Sequence, residues 1–113
     1  MVLLLECRNI FIRIEEEVVR KVVSTPAPLC GCNAVETEVI VHYNIGGGGI
    51  LLCADISGDG ENWSKAGEEE VWDTVLFIKT LTSGSRVIRF RAEISGTTEG
   101  AALFDLIVRS AQP

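Results

Sequence analysis

His42 is the single histidine of the chain, so any hydrolytic triad or acid–base shuttle would have to run through it. By strand alternation it shares a face with Glu36 and Glu38, which is the pattern of a histidine on the solvent side of a strand. The motifs that would raise its standing are absent. There is no G-x-S-x-G elbow, no H-E-x-x-H pair, and no Lys-Ser/Thr after the four glycines at 46–49 to complete a phosphate loop. The acids Glu68, Glu69 and Glu70 read as a solvated loop rather than a catalytic pair, since carboxylates this common carry no separation information. The chemistry expected from these residues is binding, with no enzymatic step.

Metal chemistry is examined on two sets of residues. Cys30 and Cys32, spaced C-x-C, could join Cys7 and Cys53 in a four-thiolate zinc site, but structural sites usually pair two C-x-x-C knuckles. Free thiols are the expectation, with Cys53 inside an apolar strand and Cys30 and Cys32 in a loop. Asp55, Ser57, Asp59 and Gly60 match the opening of a calcium loop, with Glu61 a further oxygen donor. The bidentate acid that such a loop needs at its twelfth place is replaced by Ala66, so a strand ending in a tight turn is expected instead. No cofactor is expected. Trp63, Trp72 and Tyr43 are candidates for an aromatic platform that stacks on a sugar ring, although aromatics of this size also fill cores.

These residues must be carried by strands. The chain has 113 residues and 47% apolar content, enough for one core and one domain. Residues 2–6 form an apolar run, Arg8-Asn9 reads as a turn, and residues 10–14 alternate with isoleucine on one face. A valine-rich run at 18–23 ends at Pro26 and Pro28, which impose an extended crossover. A helix over 2–23 also satisfies spacings of three and four, but its β-branched richness and missing N-cap favour strands. Alternation then marks strands near 35–43, 50–56, 71–78, 87–94 and 102–108, separated by turns rich in Gly, Ser and Asn. In the last of these Asp105 and Arg109 are placed near solvent. The expected architecture is all-β, an antiparallel β-sandwich of seven or eight strands, with a jelly roll as one topology that fits. Residues 1–28 are expected to act as an N-terminal arm with the first strands, and residues 29–113 as the sandwich.

Sixteen acidic and ten basic residues leave a formal charge of −6, which argues against phosphate-driven binding to nucleic acid and against anionic membrane surfaces. Arg86, Arg89 and Arg91 form the densest basic group, and beside Glu93 they read as the polar face of a strand. The opening apolar run is cut by Glu6 and Arg8 too early for a signal peptide, so a cytosolic protein, or one carried inside a particle, is expected.

The segment 50–63, an apolar strand running into Ser57-Gly58-Asp59-Gly60-Glu61-Asn62-Trp63, resembles a Ser-x-Asp-Gly-x-x-Trp strand-turn found in small β-sandwich proteins of tailed bacteriophages. The arginines that alternate with apolar residues at 85–91 are similar to the strand that follows it there. The resemblance implies a virion structural protein, a capsid decoration (cement) or small tail component assembled in the host cytoplasm. Its partners would be copies of itself, as a homo-oligomer with a trimer favoured, and the major capsid protein or another virion protein. In that reading Leu3, Leu4, Leu5, Ile10, Phe11 and Ile12 bind neighbouring subunits, with Trp63 and Trp72 as further contact residues. The competing reading is a carbohydrate-binding or cell-surface adhesion module that uses exposed tryptophans.

Overall fold

A computed structural model describes residues 2–16 and 18–111. Among them the backbone forms ten strands and no helix: β1 Leu3–Glu15, β2 Val18–Arg20, β3 Val22–Val23, β4 Ala27–Pro28, β5 Ala34–Ile45, β6 Gly49–Ser57, β7 Ser64–Val71, β8 Val75–Leu81, β9 Val87–Ser95 and β10 Gly100–Ser110. They make two antiparallel sheets. The front sheet runs β2-β1-β10-β5-β8, and the back sheet runs β3-β9-β6-β7 with β4 also paired to β9.

Pairing decides the topology. β1 lies against β10, β3 and β4 against β9, β5 against β8, and β6 against β7. First strand with last, second with next to last, and so inward to a central hairpin, is an antiparallel ribbon rolled on itself. Taken with β2, β3 and β4 as one interrupted strand, the fold is the eight-position jelly roll.

The core forms where the inward residues of both sheets interdigitate. Ile12, Val35, Val39, Phe104, Leu106 and Val108 from the front meet Ile50, Leu52, Val71, Ile88, Phe90 and Ile94 from the back. Burying one such large side chain contributes roughly 1.5–3 kcal/mol, so this interior sustains the domain without a crosslink.

Four local differences from the expected strands have clear causes. Arg8-Asn9 does not turn the chain. It forms a β-bulge inside the single long strand β1, with Asn9 at φ 55°, a conformation asparagine tolerates. The valine run at 18–23 divides because β2 pairs with β1 while β3 pairs with β9, so the chain changes sheets at Lys21. The acids at 68–70 belong to β7, an edge strand of the back sheet, where one side of the backbone is unpaired and charged side chains reach water. The strand expected at 71–78 is interrupted after Val71 and resumes at Val75.

The described residues of the 1–28 segment, expected as an arm with the first strands, join both sheets of the sandwich. β1 is inside the front sheet, Ile12 and Ile14 are in the core, and Ala27 and Leu29 are buried beside β9. The turns are conventional. Cys30-Gly31 and Ser83-Gly84 both take positive φ at two successive positions, closed by Cys32 N–H to the Leu29 carbonyl and Ser85 N–H to the Thr82 carbonyl. Gly46, at φ 99°, is required outright, because a Cβ there would collide with the Glu99 carbonyl.

Candidate functional site

Two carboxylates are buried on the outer faces of the sandwich, one on each sheet. Asp105 is 5% exposed in the middle of β10, flanked by the β1 bulge on one side and a second bulge in β5 on the other. The β5 bulge falls at His42, the extra residue between Val41, paired with Phe104, and Tyr43, paired with Leu103. The β1 bulge turns the Asn9 N–H towards Asp105, and the β5 bulge brings Tyr43 onto the outer face next to His42. Asn9 N–H donates to Asp105 Oδ1 at 2.8 Å, Arg8 Nη1 donates to Oδ2 at 2.9 Å, and His42 Nε2 lies 3.0 Å from Oδ2. Arg8 is itself held by Glu6 at 2.6 Å.

Burial alone would raise the Asp105 carboxyl. The Asn9 amide, the Arg8 guanidinium and the His42 imidazole outweigh it and hold the group at about 2. Asp105 is therefore ionised at neutral pH, an anion pinned between three strands. This corrects the placement of Asp105 near solvent, whereas His42 is exposed on the outer side of its strand as expected and is in addition a partner of that carboxylate.

On the back sheet Asp55 is 3% exposed in β6. Arg91 grips it through Nε to Oδ2 at 2.6 Å and Nη2 to Oδ1 at 2.9 Å, and Arg89 adds Nε to Oδ2 at 3.1 Å. Burial pushes this carboxyl up, but the two guanidinium groups more than offset it and hold it below the ordinary range. Arg89 in turn stacks over the Trp63 ring, with its guanidinium carbon 4.3 Å from the ring centre.

These geometries answer the questions of chemistry. Among the described residues the partner of the His42 ring is the Asp105 carboxylate. Asp55 is committed to its arginines. Asp59 serves as a turn cap, with the Asn62 and Glu61 backbone N–H groups donating to its Oδ1 at 2.8 and 2.9 Å and the Asn62 side chain to Oδ2 at 2.7 Å. These contacts, the backbone ones first, hold its carboxyl far below the usual value. Among the described residues no three potential ligands converge to hold a metal. Cys53 is buried on β6 beside Glu68, Cys7 lies against the core, and Cys30 sits exposed in its turn.

The residues put forward as binding residues scatter. Leu3 and Phe11 are exposed on β1, whereas Leu4, Leu5 and Ile10 are half-buried. Ile12 is wholly buried in the core and presents nothing to a neighbour, because the bulge sets the face of everything after it. Trp63 has one ring face covered by Arg89, and Trp72 is 53% exposed after the far end of β7. With β7 between the tryptophans, and Tyr43 on the front sheet, the three aromatics form no common platform.

Between its ion pairs the front sheet presents exposed apolar side chains. Phe11, Leu103 and Tyr43 stand in register across β1, β10 and β5, with Ile45 beside them opposite Ala101. At the β8 edge a bulge throws Phe77 outward to 71% exposure, and Leu81 is 66% exposed. Phe77 and Leu81 escaped the reading of the sequence, since an apolar residue at 77 or 81 looks the same whether it faces the core or water. The outer face of the back sheet carries Asp55, Lys65, Glu68, Glu70, Arg89, Arg91 and Glu93 instead. Compared with protein-family models, curated proteins and solved structures, the chain matches none.

Proposed function

We propose that this protein is a non-enzymatic structural component of a virion, a capsid decoration or small tail protein, that docks onto its neighbours through the outer face of the front sheet. The observation that carries the reading is the asymmetry of the two faces. Both faces carry ion pairs, but the large exposed apolar side chains gather on the front sheet, at Phe11, Tyr43, Ile45, Phe77 and Leu81, whereas among the described residues the back-sheet strands expose Val23 alone in this way. Large apolar side chains on one face of a protein mark an interaction surface. The jelly roll suits the role, being an architecture shared by capsid and lectin domains, and the strand-turn at 57–63 supports the phage assignment by resemblance. The β8 edge adds unpaired backbone to the same surface, able to accept a neighbour's strand.

The test is the native mass by light scattering of the wild type and of a Phe77→Lys/Leu81→Lys variant. The wild type is expected as a discrete homo-oligomer, a trimer in the favoured case, and the variant as a folded monomer. Two monomers of unchanged mass would remove self-assembly through this face. A second reading, sugar binding, has Trp72 in its favour because that ring is half exposed. It requires a glycan that quenches Trp72 fluorescence and loses affinity in Trp72→Ala.

A further inference from the structure

Among the described residues the two sheets have four edges, and three of them discourage pairing with another chain. β2 is three residues long and is followed at once by Lys21. β3 and β4 have two residues each, and Pro28 stands in β4. β7 lines its edge with Lys65, Glu68, Glu69 and Glu70. The β8 edge is blunted least. It runs for seven residues, with Phe77 71% and Leu81 66% exposed and one charge, Lys79, between them.

Register shows which backbone groups this edge offers. Thr82 N–H donates to the Asn33 carbonyl, and the Ala34 carbonyl is taken on its other side by Ala111 N–H. Hydrogen-bonded and open pairs alternate along an antiparallel ladder. Ala34 stands opposite Leu81 and Glu36 opposite Lys79, so the N–H and C=O groups of Leu81 and Lys79 point away from β5, to the free edge. The side chains of Phe77, Lys79 and Leu81 share the outer face, while Ile78 and Thr80 pack inward.

Charge decides the occupant. A second copy paired antiparallel over residues 77–81 would centre on Lys79 and set lysine against lysine, which is destabilising. Glu36 already faces Lys79 from β5, and an acid on an added strand would complete the row from the open side. Apolar residues two places either side of that acid would cover Leu81 and Phe77. The places between turn inward, to the mouth of the gap between β7 and β8 that Glu68 and Glu69 flank, and suit basic side chains.

We propose that the β8 edge is a strand-addition site for an extended segment of a different protein, with the pattern apolar-basic-acidic-basic-apolar, bound antiparallel through the backbone of Lys79 and Leu81. The inference rests on the reading of the front sheet as a docking surface, and it names the chemistry of the partner at its free edge. Copies of the chain can still meet through the outer side chains, which needs no strand pairing.

The probe is the capped peptide Thr-Val-Lys-Glu-Lys-Val-Thr, titrated into the full chain and followed through the backbone amide resonances. Saturable shifts are expected at Lys79 and Leu81, and none at Arg20 on the opposite edge. Lys in place of the peptide's Glu should weaken binding at least about threefold, and Lys79→Glu in the protein should reverse that preference. An N-methyl group on the peptide's Glu, whose N–H meets Lys79, should abolish binding, whereas one on either Lys, whose N–H points away, should leave it. Absence of binding overturns the proposal, as does equal affinity for the Glu and Lys peptides or equal tolerance of the two N-methyl positions. The native mass of the wild type is read separately. An oligomer that ignores the peptide keeps the docking face and removes strand addition, and a monomer that binds it keeps strand addition and removes self-assembly.

Discussion

On the back sheet Asp55 meets Arg89 and Arg91, two residues apart on β9 and brought to it by plain strand pairing, with Trp63 backing one of them. On the front sheet Asp105 meets Arg8 and His42, which strand alternation already puts on its face, and the Asn9 N–H, which only the β1 bulge turns towards it. Both solutions neutralise a buried anion, but they draw on different parts of the chain. The back-sheet clamp lies within one strand pair, β6 and β9, and its bidentate guanidinium is among the strongest of charged hydrogen bonds. The front-sheet clamp ties β1, β10 and β5 together, and its cations are nearly half exposed. The surroundings diverge too. Charged pairs lie on both faces, and large exposed apolar side chains flank the front-sheet cluster.

The largest effect that tests this comparison is Asp55→Ala, which leaves two adjacent arginines without their anion. A loss of about 2–3 kcal/mol in urea unfolding is expected, below the full cost of an unpaired buried charge because the arginines reach solvent. Asp105→Ala should cost less, about 1–2 kcal/mol, since Arg8 and His42 can turn to water and the Asn9 amide bears most of the loss. If Asp105→Ala proved the more damaging, the bulged cluster would be the principal anchor and the ranking would reverse.

Acid should separate the same two sites. Asp105 has a folded value lowered from its ordinary 3.8 to about 2, so its stabilisation is fully present above about pH 4 and disappears as pH falls through about 2. Asp55 is also lowered and its contribution is lost in the same direction. The unfolding free energy should thus fall between about pH 4 and 2, and Asp105→Asn should flatten part of that slope. A slope unchanged in Asp105→Asn would assign the acid response to Asp55 and the remaining carboxylates.

The smallest change in stability belongs to the exposed apolar residues. Phe77→Lys and Leu81→Lys should each move the unfolding free energy by no more than about 0.5 kcal/mol, because neither side chain is buried. A drop of several kcal/mol in either would mean that the front face supports the fold itself, and the contrast between the faces would collapse.

Much of this was legible in the residues. Strict alternation at 87–94 placed Ile88, Phe90, Ala92 and Ile94 inward, and they are inward. The turns at 57–62 and 83–84 followed from Gly, Ser and Asp chemistry. The cluster at Asp105 was not legible, because alternation puts Arg8, His42 and Asp105 on outward faces but does not say that β1, β10 and β5 are neighbours, nor where a bulge inserts its extra residue. Nothing local in Val41-His42-Tyr43 reveals that His42 is the extra one.

The all-β class, the antiparallel sandwich and the bulk of the core were determined by the sequence itself, since apolar alternation of period two can bury its apolar side only by packing sheet on sheet. Tertiary structure alone decided the rolled pairing of first strand with last, the incorporation of the described residues before Leu29 into both sheets, and the meeting of Arg8, His42 and Asp105 across 97 residues of chain. Period and propensity act between neighbours along the chain, whereas register, bulges and the gap between sheets arise only when distant strands are brought side by side.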